Sequence, residues 1–415
     1  MKLALGVSRP STSYPLMTTK PRRSTIVAST STAFPSGHTP TVTIGKRWRE
    51  YQGANNWDGL LDPLDDVLRS EILRYGEFAR AAYTCFDFNP SSGSYGTCLF
   101  PKHSLLSCAG LPDTGYRITR NLTATSGSRL PRWVEPVEHL WHWCAGSSPE
   151  WFSRSTSWIG FVAVCEDEDE IERLGRRDIV ISYRGTATFL EWLENVQATL
   201  TDLPAPALGS AEPIGIERGF WSLFTSAMPD SRSLRDQVRQ EIRKIIDKYS
   251  GSGTPLSLTV TGHSLGAALA VLTAYDITTA FEDAPMATVM SFGGPRVGNA
   301  SLRRGLEQKE TKVLRIVNTQ DIITKVPGFV VDDPEHSAAA AAEENDGWLR
   351  SWAYADIGRE LRLSGQKTAN VVACHDLSVY LDLVNQLGDT DKNKSLVKPE
   401  LHSRPEWVQP VPIIC

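Results

Sequence analysis

The sequence predicts an α/β fold, a mostly parallel central sheet with flanking helices, and three observations carry that prediction. Strand-like and helix-like segments alternate from Trp158 to Asn318, the pattern of chains whose parallel strands are joined by crossover helices. Across residues 256–275 an alternating apolar run passes through a Gly-bracketed turn directly into an Ala-rich helical run. Two further strand-like runs end in loops carrying Gly293-Gly294-Pro295-Arg296 and Asp321, at the strand ends where open parallel sheets gather their functional loops.

Taken in order, the first forty-five residues are rich in Ser and Thr, hold Lys2, Arg9, Lys20, Arg22 and Arg23, and contain no Asp or Glu. That composition reads as a transit peptide for a plastid or mitochondrion, with a disordered tail as the plain alternative. No uninterrupted apolar run follows Lys2, as a secretory signal requires. Residues 48–62 read as an aromatic, Gly-rich linker, and 65–82 as a helix through Leu68, Ile72, Phe78 and Ala82. Residues 87–136, dense in Gly, Pro and Ser, read as irregular elements or short strands. Strands are expected at 158–165 and 178–183, joined by an acidic connector at 166–172. An amphipathic segment follows at 188–200, through Leu190, Leu193, Val196 and Leu200. A long helix at 231–249 carries Leu234, Val238, Ile242 and Ile245, and later strands fall at 287–292 and 312–318. Residues 337–346 are Ala/Glu-rich low complexity, read as a surface loop or short exposed helix, and the chain beyond 388 is a polar, then Pro-rich tail. The organisation is therefore an extension (1–45), one domain (46–388) and a tail (389–415).

Bulk properties narrow the function classes. At 415 residues, 41% hydrophobic and 22% charged, the chain has ample material for a soluble core. Its net charge is −5, and removing the five basic residues of the extension takes it to −10. An acidic body offers no basic footprint for nucleic acid, and its contact with a lipid surface has to be mainly apolar. Residues 256–275 lack Asp, Glu, Lys and Arg and are long enough to score as a membrane span. Leu256, Leu258 and Val260 alternate with Ser257, Thr259 and Thr261, however, so the run divides into strand, turn and helix and no transmembrane segment is expected. The seven cysteines form no CxxC pair and no metal spacing, and their odd number excludes complete internal pairing, so most read as free thiols. Asn121, Asn299 and Asn393 begin N-x-S/T triplets that matter only in a secreted chain.

The chemistry centres on Gly262-His263-Ser264-Leu265-Gly266, with a strand before it and a helix after it. A sharp strand-to-helix turn lifts the serine hydroxyl clear of the sheet, and Gly262 and Gly266 let the backbone cross itself; the arrangement specifies an α/β-hydrolase fold. His263 reads as a packing residue of this elbow. A serine hydroxyl needs an imidazole to take its proton and a carboxylate to orient that imidazole. In α/β-hydrolases these follow the serine in the order acid, then His. Asp321 lies in the loop just past the strand ending near Val317, whereas Asp276, Asp283, Asp332 and Asp333 sit in the following helix, its exit or an outer loop. Of His336, His375 and His402, only His375 is embedded in structured-looking sequence, ahead of a helix through Leu377, Tyr380, Leu381 and Val384; a solvated or structural histidine is the alternative. Leu265 by position, and Thr186 after Tyr183-Arg184-Gly185, are the candidate oxyanion donors. Phe189, Trp192 and Leu193 read as a lid or acyl-chain wall, although core packing explains half of that segment equally well.

These residues resemble the class 3 lipases, and among them the plant plastid-type phospholipase A1 proteins. The likeness runs over most of 48–387: Trp48-Arg-Glu, Asn56-Trp-Asp-Gly-Leu-Leu-Asp-Pro-Leu, Arg74-Tyr-Gly-Glu-Phe, Gly175-Arg-Arg-Asp-Ile-Val, Tyr183-Arg-Gly-Thr, Glu191-Trp, the Gly262–Gly266 pentapeptide, Phe292-Gly-Gly-Pro-Arg-Val-Gly-Asn and Cys374-His-Asp-Leu. The resemblance carries the family's serine, aspartate and histidine onto Ser264, Asp321 and His375, and its oxyanion residues onto Thr186 and Leu265. It implies hydrolysis of the sn-1 acyl ester of membrane glycerolipids, phosphatidylcholine or plastid galactolipid, at a lipid surface. It further implies a role in releasing linolenic acid for jasmonate synthesis, a chloroplast address with mitochondrion as alternative, and no metal or other cofactor. The 337–346 insertion and the short tail depart from the family pattern and touch loop-level specificity. Triacylglycerol hydrolysis, acyl transfer to another acceptor, and a non-catalytic lipase-like scaffold remain the alternatives, and a scaffold would be free to lose part of the serine, acid and base set that is complete here.

Overall fold

A computed structural model describes residues 44–125, 156–186, 200–203, 213–327, 329–330, 353–365 and 371–387. The helices are α1 (Ile44–Tyr51), α2 (Asp66–Thr84), α3 (Leu105–Cys108), α4 (Glu168–Leu174), α5 (Arg218–Thr225), α6 (Leu234–Tyr249), α7 (Leu265–Ala280), α8 (Ala300–Gln308), α9 (Val371–Cys374) and α10 (Leu377–Gln386). The strands are β1 (Tyr116–Thr125), β2 (Thr156–Cys165), β3 (Arg177–Tyr183), β4 (Leu200–Leu203), β5 (Ile214–Glu217), β6 (Leu256–His263), β7 (Met286–Phe292), β8 (Lys312–Asn318), β9 (Phe329–Val330), β10 (Ala353–Tyr354) and β11 (Arg359–Leu363).

Seven strands form the central sheet in the order β1-β2-β3-β6-β7-β8-β11. From β3 to β11 the neighbours run parallel, and β1 and β2 are added antiparallel at one edge. Alternate residues of each strand face opposite sides. Ile179, Ile181, Leu258, Val260 and Val289 join one core, under α5, α6 and α7. Val180, Phe161, Met290, Phe292, Leu314 and Ile316 join the other, under α1, α2 and α10. The result is a three-layer α/β-hydrolase sandwich.

The helices follow from local chemistry. Asp65 caps α2 by accepting from the backbone N–H of Val67 (2.8 Å) and Leu68 (3.0 Å), and Ser233 caps α6 by accepting from Asp236. In α6 the stripe of Leu234, Val238, Ile242, Ile245 and Ile246 is at most 3% exposed, while the opposite face carries its Arg and Lys residues. Every residue of α7 from Leu265 to Thr278 is buried, which accounts for its lack of a distinct apolar stripe, and its one charged residue, Asp276, is paired with Arg239 at 2.6 Å. Among the described residues no helix is long and apolar enough to cross a membrane.

Three local expectations are corrected. Residues 48–62 are no linker: Trp48 belongs to α1, and Tyr51 and Trp57 are each 1% exposed, with the Trp57 indole N–H donating to the Tyr51 carbonyl at 2.9 Å. The acidic connector at 166–172 is mostly helix α4, because Asp167 caps it, three acidic residues occupy the first turn where the helix dipole favours them, and Gly175 ends it at φ 66°. The region 87–136 contains the ten-residue strand β1, masked in the sequence by Arg117, Thr119, Arg120, Asn121 and Thr123, which an edge strand tolerates. Helix α1 already starts at Ile44, two residues before the expected boundary at 46. Residues 1–43, the 337–346 insertion and the tail from 389 lie outside the described residues. None of the five described cysteines is in a disulfide.

Candidate active site

The parallel register brings the C-terminal ends of neighbouring strands level. Tyr183 of β3 pairs with Gly262 of β6, His263 of β6 with Phe292 of β7, and Phe292 with Ile316 of β8. The loops bearing Thr186, Ser264 and Asp321 therefore leave the sheet at one edge.

Ser264 stands between β6 and α7 at φ 59° and ψ −125°, a left-sided conformation that costs a non-glycine residue about 1–3 kcal/mol. The flanking glycines make the turn possible. A Cβ on Gly262 would lie 2.4 Å from the Gly266 carbonyl carbon, and one on Gly266 would lie 2.6 Å from the Tyr183 carbonyl oxygen. Ser264 N–H donates to the Phe292 carbonyl at 3.0 Å, tying the elbow to β7. The serine is 1% exposed, and its hydroxyl makes neither a capping bond to α7 nor any other hydrogen bond among the described residues.

Asp321 is fully buried three residues beyond β8. Its Oδ1 accepts from the Ile323 N–H at 2.9 Å, while Oδ2 lies 2.6 Å from His375 Nδ1 and accepts from the Tyr380 hydroxyl at 2.6 Å. A carboxylate only accepts, so Nδ1 carries the histidine proton and Nε2 is left as the basic nitrogen. Asn318 fixes the histidine's loop by donating to the Cys374 carbonyl at 3.0 Å, and Asp376 caps α10 immediately after it. Burial and the Asp321 charge push the Tyr380 phenol well above its ordinary range, so it stays a neutral donor.

His263 joins the two halves of the site. Its ring lies 4.6 Å from that of His375, and its Nδ1 is 2.8 Å from the Tyr83 hydroxyl at the end of α2. Burial holds its imidazole well below the usual histidine range, so it stays neutral beside His375. Gly185 presses against the elbow from β3: a Cβ there would lie 3.1 Å from Ser264 Cβ and 2.2 Å from the Tyr83 hydroxyl. Thr186 follows at once, with a buried hydroxyl that makes no hydrogen bond among the described residues. Leu265 opens α7, where the first-turn N–H groups lack helical acceptors.

Ser264, Asp321, His375, Thr186, Leu265, Gly262 and Gly266 thus gather in one place. Phe189, Trp192 and Leu193 lie outside the described residues. Sequence reasoning missed the contacts of Tyr83 and Tyr380. Tyr380 carried a faint signal, five residues after His375 on a helix, and Tyr83 carried none. Among the described residues no group of His, Cys, Asp and Glu could hold a metal ion.

Residues 180–331 match the family model described as Lipase (class 3). Over 368 residues the chain is 54% identical to the chloroplastic phospholipase A(1) DAD1 of Arabidopsis thaliana, covering 85% of this chain and 79% of that one. It is 37% identical over 357 residues to the chloroplastic galactolipase DONGLE of the same plant, covering 83% and 71%. Among solved structures, a lipase from Rhizopus microsporus var. chinensis aligns with a TM-score of 0.42 at 18% identity, covering 73% of this chain and 76% of that chain.

Proposed function

The chain belongs to the class 3 lipase family, and we propose that Ser264, Asp321 and His375 are the nucleophile, acid and base with which it hydrolyses glycerolipids. The observation that carries this reading is the 2.6 Å contact of Asp321 with His375 Nδ1, with the His375 ring 4.6 Å from that of His263, the residue before the strained Ser264 elbow.

In the proposed sequence His375 Nε2 takes the hydroxyl proton as Ser264 Oγ attacks the acyl carbonyl. Asp321 stabilises the resulting imidazolium without taking its proton. The N–H groups of Thr186 and Leu265, with the Thr186 hydroxyl, hold the oxyanion. Collapse expels the glycerol-side oxygen, which His375 protonates, and water then attacks the acyl enzyme with His375 again as base. Ser264→Ala is expected to lower turnover by roughly four to six orders of magnitude.

The substrate class is the membrane glycerolipid, phosphatidylcholine or galactolipid, cleaved at sn-1, as the relatives' names favour. The same names support a chloroplast address. Release of linolenic acid for jasmonate synthesis is the physiological role that the family resemblance implies. Approach to the lipid is peripheral and mainly apolar; Ile322, beside Asp321, is 44% exposed and suits such a contact.

The deciding assay is fatty-acid release by the purified full-length protein from phosphatidylcholine, monogalactosyldiacylglycerol and triacylglycerol, with Ser264→Ala alongside. Release that disappears in the variant supports the mechanism, and the ranking of lipids fixes the substrate. A folded protein that releases nothing from any of them would instead be a lipase-like scaffold.

A further inference from the structure

Arg184, between β3 and Thr186, is a buried cation with no ion pair among the described residues. It is 6% exposed. Its guanidinium donates to three neutral oxygens: Nε to the Trp158 carbonyl at 2.9 Å, Nη1 to the Gly185 carbonyl at 2.8 Å and Nη2 to Ser157 Oγ at 3.0 Å. The Phe86 ring lies 3.6 Å from its central carbon. Burial brings its pKa down to about 10, so it remains charged at neutral pH. A guanidinium taken out of water is costly to keep unless its charge is used.

Its location supplies the use. Gly185 is the residue pressed against Ser264, and the Gly185 carbonyl shares one peptide unit with the Thr186 N–H. In a trans peptide these two groups point in opposite directions. Drawing the carbonyl toward Arg184 therefore sets the N–H on the far side, and a charge-assisted bond to the oxygen makes that N–H a stronger donor. We propose that Arg184 is a positioning residue of the oxyanion hole, aligning and polarising the Gly185–Thr186 peptide and adding a buried positive charge near the oxyanion as it forms. The proposal rests on the reading of Thr186 as an oxyanion donor.

The test uses the full-length protein with Arg184→Met, Arg184→Lys and Ser157→Ala. Turnover of phosphatidylcholine is measured together with affinity for an alkyl boronic acid, which forms a tetrahedral adduct with the serine, and for a non-hydrolysable ether-linked phosphatidylcholine. In Arg184→Met, kcat is expected to fall about 10²-fold, the size of one lost oxyanion donor, with boronate affinity falling in parallel. KM and ether-lipid affinity are expected to stay within about threefold of wild type, because the interaction belongs to the transition state. Arg184→Lys keeps the charge without the planar fork and falls between the two. Ser157→Ala releases only the outer contact and stays close to wild type.

A folded Arg184→Met with kcat within about threefold of wild type would overturn the proposal. So would an equal loss of boronate and ether-lipid affinity, which marks general damage to the site. If the Met variant does not fold, an unchanged ratio of boronate to ether-lipid affinity in Arg184→Lys overturns it as well. A wild-type protein that fails to bind the boronate at all, or a Ser264→Ala variant that still releases fatty acid, defeats the underlying reading of the site, an outcome separate from these.

Discussion

Tyr380 shows how much of a site can rest on one hydroxyl. It donates to Asp321 Oδ2, the oxygen that also faces His375 Nδ1. Tyr380→Phe leaves a fully buried carboxylate with one donor fewer, and a hydrogen bond to a charged group contributes about 1.5–3 kcal/mol. Urea unfolding should show a loss of that size. Turnover should fall by about tenfold with KM unchanged, far less than the roughly 10⁴-fold that follows when the acid's orienting role is lost. A variant with wild-type kcat would mean that the backbone N–H of Ile323 and the histidine suffice to hold Asp321 in place.

Among the elements, α2 matters at both ends. Its C-terminal end supplies Tyr83 to the His263 ring, while near its N-terminal end Glu71 and Arg74 enter a buried network at the opposite edge of the sheet. There Arg74 Nη2 lies 2.6 Å and Arg176 Nη2 3.4 Å from Glu71 Oε2, and Asp178 accepts from the hydroxyls of Tyr75, Tyr116 and Ser257. Burial alone would raise the Glu71 pKa, but the Arg74 and Arg176 guanidiniums override it and bring it down to about 2. A folded-state pKa below the ordinary 4.5 means the unfolded chain binds the proton more readily. The Glu71 contribution is therefore complete above about pH 4.5 and lost as the pH falls toward about 2. Glu71→Gln should destabilise by roughly 3–5 kcal/mol at neutral pH, because it removes one buried partner and leaves the guanidiniums of Arg74 and Arg176 to share the single carboxylate of Asp178. Its thermal stability should also fall less on acidification than that of the wild type; an equally steep fall in both would assign the acid sensitivity to other groups.

For the molecule as a whole, the division of labour between extension and body is testable. α1 starts at Ile44 and buries Trp48 and Tyr51, so a cut at residue 46 would fall inside this helix. Residues 1–43 fused to a fluorescent reporter should direct it into chloroplasts, and a reporter left in the cytosol would defeat the targeting proposal. The acidic body makes a second expectation at this scale. Binding of the full-length protein to vesicles should change little with salt or with added anionic lipid, since screening acts on charge contacts and leaves apolar ones intact. Binding that collapses in salt would point to a basic patch outside the described residues.

By itself, the sequence determined what rests on local periodicity and on steric demands between near neighbours. The alternation of strands and helices, the Gly-bracketed elbow at Ser264, and the placing of Asp321 and His375 at element ends were all legible, because each depends on a few consecutive residues. Tertiary structure alone decided what depends on residues far apart in the chain. Tyr83 reaches His263 across 180 positions, β1 is a strand because β2 supplies its partner, and 48–62 is core because its aromatic residues meet a sheet built from residues much later in the chain. Arg184 could be read as part of a motif, yet its lack of an ion pair among the described residues, and its hold on the Gly185 carbonyl, exist only once β2, β3 and the loop after α2 are packed together.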